Sequence, residues 1–96
     1  MKYNPPRIVI RSELFEEHYL HLKNEGTHRI EEWIEGCEYS LPRSPKKGEL
    51  IAAHKGKEIL ANKYFDMANK RYILIYHTYD DEKVIFLDIR EGEKQA

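Results

Sequence analysis

Apolar and polar positions alternate with a period of two through the last third of this chain. Ahead of it they recur at intervals of three and four. Residues 58–90 read EILANKYFDMANKRYILIYHTYDDEKVIFLDIR, which divides into three β-rich runs, at 58–66, 71–79 and 83–90, joined by two short polar turns. Met67 to Lys70 make the first connection, with Asn69 the residue suited to a positive φ angle. Asp80, Asp81 and Glu82 make the second.

Upstream, residues 7–11 (RIVIR) predict a short strand whose start Pro5 and Pro6 keep extended. Ser12 is placed to cap a helix and Glu13 suits its first turn. Leu14, Phe15, Tyr19 and Leu22 then fall on one helical face, with His18 on the same stripe. Asn24-Glu25-Gly26 marks that helix's end. Thr27 can cap a second helix, whose stripe is Ile30, Trp33, Ile34, Cys37 and Leu41 and which Pro42 stops. Pro42 to Gly48 (PRSPKKG) reads as a basic loop. Residues 49–54 fit either a helical turn or the lead into a strand, and Lys55-Gly56-Lys57 is a basic turn. The tail from Glu91 to Ala96 has no apolar anchor and is expected to fray.

Helices first and an antiparallel meander last predict an α+β fold. The expected architecture is a single small domain over residues 1–96 of order β-α-α-β-β-β, a two-helix hairpin packed on an antiparallel sheet. Alternation assigns the faces. Ile85, Leu87 and Ile89 form an apolar set expected beneath the helices. Val84, Phe86, Asp88 and Arg90 form the other, joined by Arg71, Ile73, Ile75 and His77 from the preceding strand. This second face is expected to be only partly covered, and its charged rim, with Lys57 and Lys63, is where a site is expected.

Composition adds bounds. At 96 residues, with 41% hydrophobic and 34% charged residues, the chain is too apolar for disorder and too charged for a membrane protein. Its longest unbroken apolar run, Tyr72 to Tyr76, falls far short of the about 20 residues of a spanning helix, and the N-terminus has no signal-like segment. The lone Cys37 cannot form an internal disulfide, and its place on an apolar stripe suggests a buried thiol in a reducing compartment. The net charge is −1, but it is unevenly distributed. Residues 12–38 hold eight Glu against Lys23 and Arg29, while residues 43–71 hold eight Lys or Arg against Glu49, Glu58 and Asp66. One acidic and one basic side follow, and the basic side is suited to phosphate.

Motif chemistry is sparse. His18 and His21, with Glu17, would make an incomplete metal shell and read as half-buried helix histidines. No metal or cofactor is expected. No glycine-rich phosphate loop follows a strand, and a buried cysteine is a poor nucleophile. The remaining constellation is His54, Lys55, Lys57, Lys63, Tyr64, Arg71, His77 and Arg90. RNA cleavage by its own 2′-hydroxyl needs a base, cations for the phosphorane charge and an acid for the leaving oxygen. His54 and His77 are the natural acid–base candidates, and Tyr64 can stack on a splayed base.

The order of elements, the size, Lys70-Arg71-Tyr72-Ile73-Leu74-Ile75-Tyr76 and the hairpin Asp80-Asp81-Glu82-Lys83-Val84-Ile85-Phe86-Leu87 resemble the RelE/ParE superfamily of toxins. The outline covers nearly the whole chain, and the residue match runs from about Lys55 to Arg90. The resemblance implies a cytoplasmic toxin held inactive by a cognate antitoxin, in a dimer or heterotetramer built through it. RelE-like members cleave mRNA on the ribosome with basic and aromatic residues of the sheet. On that pattern Lys57, Arg71 and Arg90 would carry phosphate charge, His54 or His77 would be acid or base, and Lys55, Lys63 and Tyr64 would bind RNA. ParE-like members inhibit DNA gyrase without such residues, so a non-nucleolytic inhibitor or an inactive protein-binding module of the same fold is the alternative.

Overall fold

The computed structural model describes residues 6–23, 28–67 and 69–92. Its elements run β1 (Ile8–Arg11), α1 (Glu13–Lys23), α2 (His28–Ser40), β2 (Glu49–His54), β3 (Lys57–Asp66), β4 (Arg71–Tyr79) and β5 (Lys83–Glu91). The α+β class holds, but the sheet has five strands. Residues 49–54, ambiguous in sequence, form β2. The strand order is β1-β5-β4-β3-β2. The three hairpin-linked pairs are antiparallel, whereas β1 lies parallel to β5. The sheet is therefore mixed, not wholly antiparallel. A parallel neighbour needs a crossover, and everything between residues 12 and 82 supplies it.

Local chemistry explains the joints. Ser12 Oγ accepts the Phe15 amide at 3.0 Å and donates to the Leu87 carbonyl at 2.7 Å. One hydroxyl therefore caps α1 and ties its start to β5. The expected end of α1 at Asn24-Glu25-Gly26 and the Thr27 cap lie outside the described residues. Beyond α2, the Arg43 and Ser44 amides both donate to the Ser40 carbonyl. Between β2 and β3, Lys55 (φ 51°) and Gly56 (φ 79°) form a two-residue turn. Two consecutive positive φ angles make a type I′ turn, which matches strand twist. In the next connection Lys70, not Asn69, takes the positive φ (52°), and the Asn69 side chain donates to Asp66 Oδ2. Glu91 extends β5 and the Gly92 amide donates to the Tyr72 carbonyl at 2.7 Å. These two residues do not fray, and 93–96 lie outside the described residues.

The helices cover one side of the sheet. Phe15 and Leu22 from α1 and Ile30, Ile34 and Cys37 from α2 bury against Ile73, Ile75, Val84, Phe86 and Ile89. Phe15 meets Phe86 with ring centroids 5.4 Å apart. Each such side chain stabilises the fold by about 1.5–3 kcal/mol relative to exposure. Leu14, expected on the stripe, remains 43% exposed.

The expected face assignment is reversed over most of the sheet. Val84 and Phe86 face the helices, and Ile85 is only half-buried on the opposite side. The phase then changes within β5 at a β-bulge. Tyr76 pairs with Asp88 and His77 with Phe86, so Leu87 is an extra residue. One inserted residue flips the side-chain phase, which returns Ile89 to the core beside Ile75. In β4 the polar-ended set Arg71, Ile73, Ile75 and His77 is likewise the covered one.

Candidate nucleic-acid interface and an adjoining cavity

Arg71 and His77 lie at opposite ends of the covered face of β4. Arg71 is 3% exposed, donating Nε–H to Asp66 Oδ2 at 3.0 Å and pairing with Glu91 Oε2 at 3.3 Å. Burial pushes the Asp66 carboxyl up, but hydrogen bonds from Asn69 and Arg71 outweigh it and hold the group below its usual range. His77 is fully buried. Its Nε2–H donates to the Pro45 carbonyl at 2.7 Å, and its Nδ1 accepts from Asn62 Nδ2 at 2.8 Å. Burial lowers its basicity below the ordinary imidazole value, partly offset by the Pro45 bond. Both groups are closed off by their partners, as buried polar groups must be, and neither reaches solvent as expected. Tyr64 is on the same side, half-buried and stacked on Trp33 at 5.2 Å, so it too leaves the expected rim.

The opposite face has no described helix over it. Register puts Lys57, Ile59, Ala61, Lys63 and Phe65 of β3 on that face with Tyr72, Leu74 and Tyr76 of β4. Arg90 joins it, since Leu74 pairs both with Lys63 and with Arg90. His54 pairs with Lys57 across the β2–β3 turn, next to Lys55, and all three are exposed. Lys63 Nζ lies 5.2 Å from the centre of the Tyr72 ring, and Phe65 meets that ring at 5.0 Å. Five of the eight expected residues, His54, Lys55, Lys57, Lys63 and Arg90, therefore stay exposed. Phe65, Tyr72 and Tyr76 are the aromatic partners the sequence reading missed. Lys57 and Lys63 are six residues apart on one strand, roughly 20 Å at the strand rise.

Where β5 runs past the end of β1, a cavity of about 450 Å³ opens between β5 and α1. His18, His21, Leu22, Ile89, Arg90 and Glu91 line it. At its margin sits Asp88, only 7% exposed. Its Oδ1 accepts from the Ile89 amide at 2.8 Å and from His18 Nδ1 at 2.6 Å. Its Oδ2 accepts from Arg90 Nε. Hydrogen bonding to Asp88 raises the Arg90 guanidinium above its ordinary value, so it is a permanent cation. Seventy residues separate His18 from Asp88, and no local pattern signals the pair.

Cys37 is buried, which pushes its thiol up to about 11, and it is inert at neutral pH. Among the described residues no three His, Cys, Asp or Glu side chains are grouped so as to hold a metal ion. No described helix is long and apolar enough to cross a membrane. No protein-family model, curated protein or solved structure matches the chain. The likeness to RelE/ParE toxins rests on the sequence outline.

Proposed function

We propose that this chain is the toxin of a toxin–antitoxin pair, a cytoplasmic, RelE-like, ribosome-dependent mRNA endonuclease that engages single-stranded RNA on its uncovered sheet face. One observation carries the reading. Lys57, Lys63 and Arg90 share that face with Phe65, Tyr72 and Tyr76, with no described helix over them. Cations spaced along a strand neutralise successive phosphates. Aromatic rings between them offer stacking worth about 1–3 kcal/mol per base. The RNA arrives single-stranded, because only unpaired bases present their faces to such rings. A cognate antitoxin would neutralise the protein by occupying the same surface.

Expression in growing cells, followed by primer extension on abundant transcripts, tests the activity. New 5′ ends within minutes of induction are expected. Growth arrest with every transcript intact would overturn cleavage. Fluorescence anisotropy with a short single-stranded RNA tests the surface. The double variant K57A/K63A is expected to weaken binding and to lower the salt slope by about 0.7 for each phosphate that is no longer neutralised.

A second reading has its own support. Arg71 and His77 are sequestered, and β2 is an edge strand exposed along its whole length, with Leu50 55% and Ile51 50% exposed. An open edge with apolar side chains suits strand addition by a protein partner. It favours a ParE-like gyrase inhibitor or an inactive protein-binding module. Loss of DNA supercoiling in extracts while mRNA stays whole would select it.

A further inference from the structure

We propose that His18 is the general base of an RNA transesterification in the cavity between α1 and β5, with Asp88 its positioning residue and Arg90 its phosphate clamp. The inference rests on the ribonuclease reading and names the chemistry that reading leaves unassigned once Arg71 and His77 are buried.

A carboxylate only accepts hydrogen bonds, so the 2.6 Å contact fixes the proton of neutral His18 on Nδ1. Nε2 then carries the lone pair, and among the described residues nothing is bonded to it. The imidazole is about one-third exposed, while the Asp88 side chain beneath it is 10% exposed. A base that meets solvent on one side and a buried orienting carboxylate on the other is arranged for proton transfer.

The surrounding chain holds this pair in place. The Leu87 bulge sits immediately before Asp88, and bulges re-aim the side chains beside them. Ser12 bonds to the Leu87 carbonyl and caps α1, so the helix bearing His18 is tethered to that same bulge. His21, three residues on, lies on the same side of α1 and lines the same cavity. Leu22 and Ile89 give it an apolar wall. Arg90 uses Nε for Asp88, and its two terminal nitrogens match the oxygens of a phosphodiester. Through Leu74, Arg90 lies in one cross-strand row with Lys63. Arg90 therefore stands at the border between the uncovered face and the cavity.

The step balances without a co-reactant. His18 Nε2 removes the proton of a ribose 2′-hydroxyl, and the 2′-oxygen attacks the adjoining phosphorus. The bond from phosphorus to the 5′-oxygen breaks, and that oxygen takes a proton from the His21 imidazolium. The products end in a 2′,3′-cyclic phosphate and a 5′-hydroxyl. Solvent returns the proton from His18 to His21.

The test uses the full-length protein, ribosomes programmed with one defined mRNA, and the same RNA carrying a single 2′-deoxy sugar at the mapped cleavage site. Wild type is expected to yield cyclic phosphate ends and to leave the deoxy site whole. H18Q is expected to lose about a hundredfold or more in kcat, with RNA affinity and thermal melting close to wild type. H18G is expected to regain cleavage when imidazole is added, which a structural role for His18 would not produce. D88N is expected to lower kcat with KM unchanged. Cleavage by H18Q at the wild-type rate, or products bearing a 5′-phosphate, would overturn the role of His18 and leave the nuclease reading standing. Binding without cleavage by wild type would overturn both the cavity's chemistry and the nuclease reading, leaving only an RNA-binding surface. Neither binding nor cleavage would overturn that surface too.

Discussion

On the covered side of the sheet, Arg71 is locked between Asp66 and Glu91 and His77 between Asn62 and Pro45. At the edge where β5 outruns β1, Arg90 is 61% exposed and His18 of α1 keeps one ring nitrogen without a described partner. The residue types are the same, but their surroundings give them different work. Beneath the helices a polar side chain finds its partners within the protein, and in doing so it becomes part of the scaffold. At the solvent edge a single anchored partner orients the group and leaves the rest of it for chemistry. Which groups stay open to solvent here follows from how many partners each has, more than from which group it is.

That contrast can be broken by paired substitutions. The largest effect is expected from Arg71→Ala, which strands the buried Asp66 carboxylate and should cost about 3–5 kcal/mol. Arg90→Ala should cost far less, because Arg90 itself is exposed and Asp88 keeps the Ile89 amide and His18 as partners. Thermal denaturation compares them, with about 4–8 °C expected for each kcal/mol in a domain of this size. Equal losses would abolish the distinction between the two regions.

Next comes His77→Ala, expected to cost about 1–3 kcal/mol by leaving the Pro45 carbonyl without its donor and Asn62 without its nearer acceptor. Its pH dependence sharpens the point. His77 is held below its ordinary 6.5, chiefly by burial, so the unfolded chain takes up the proton first as the pH falls. Stability from this group is complete above about 6.5 and declines below it. Asp66, held below its ordinary 3.8, adds a further decline only in stronger acid. Urea denaturation at pH 7.5 and 5.5 should show this loss in wild type and a smaller one in His77→Gln.

Smaller again is the effect of Lys57→Ala and Lys63→Ala on folding, expected within about 0.5 kcal/mol, although RNA affinity should fall. Tyr72→Leu removes a ring that Lys63 and Phe65 both approach. A change of about 0.5–1 kcal/mol is expected, measured by chemical denaturation with Lys63→Ala as the second arm of a double-mutant cycle.

Much of the architecture was legible. The strand boundaries of β3, β4 and β5 follow from alternation broken by Asn, Asp and Gly, and the helical stripe from Ile30 to Leu41 is the one that packs. The face assignment failed for an identifiable reason. In Val84-Ile85-Phe86-Leu87 both phases are apolar, so period-two logic has nothing to choose between, and a one-residue bulge leaves no mark on such a run. Polar ends also misled. Arg71 and His77 look like a solvent rim until Asp66, Asn62 and the Pro45 carbonyl are brought to them by pairing and by a loop. The candidate site was legible only in its exposed charges. Lys57, Lys63 and Arg90 stand out as charges in alternating strands. His18 does not, because its significance depends on an aspartate seventy residues away.

The parallel pairing of β1 with β5 carries a consequence for synthesis. A ribosome adds roughly 5–20 residues per second from the N-terminus, so the first strand and α1 emerge seconds before the strand they must lie against. The β2–β4 ribbon can zip by itself, but Ser12 has no Leu87 to grip and His18 no Asp88 until the final segment is made. A chain cut short before residue 83 would carry every basic residue of the ribbon and still lack Val84, Phe86 and Ile89, on which the core closes.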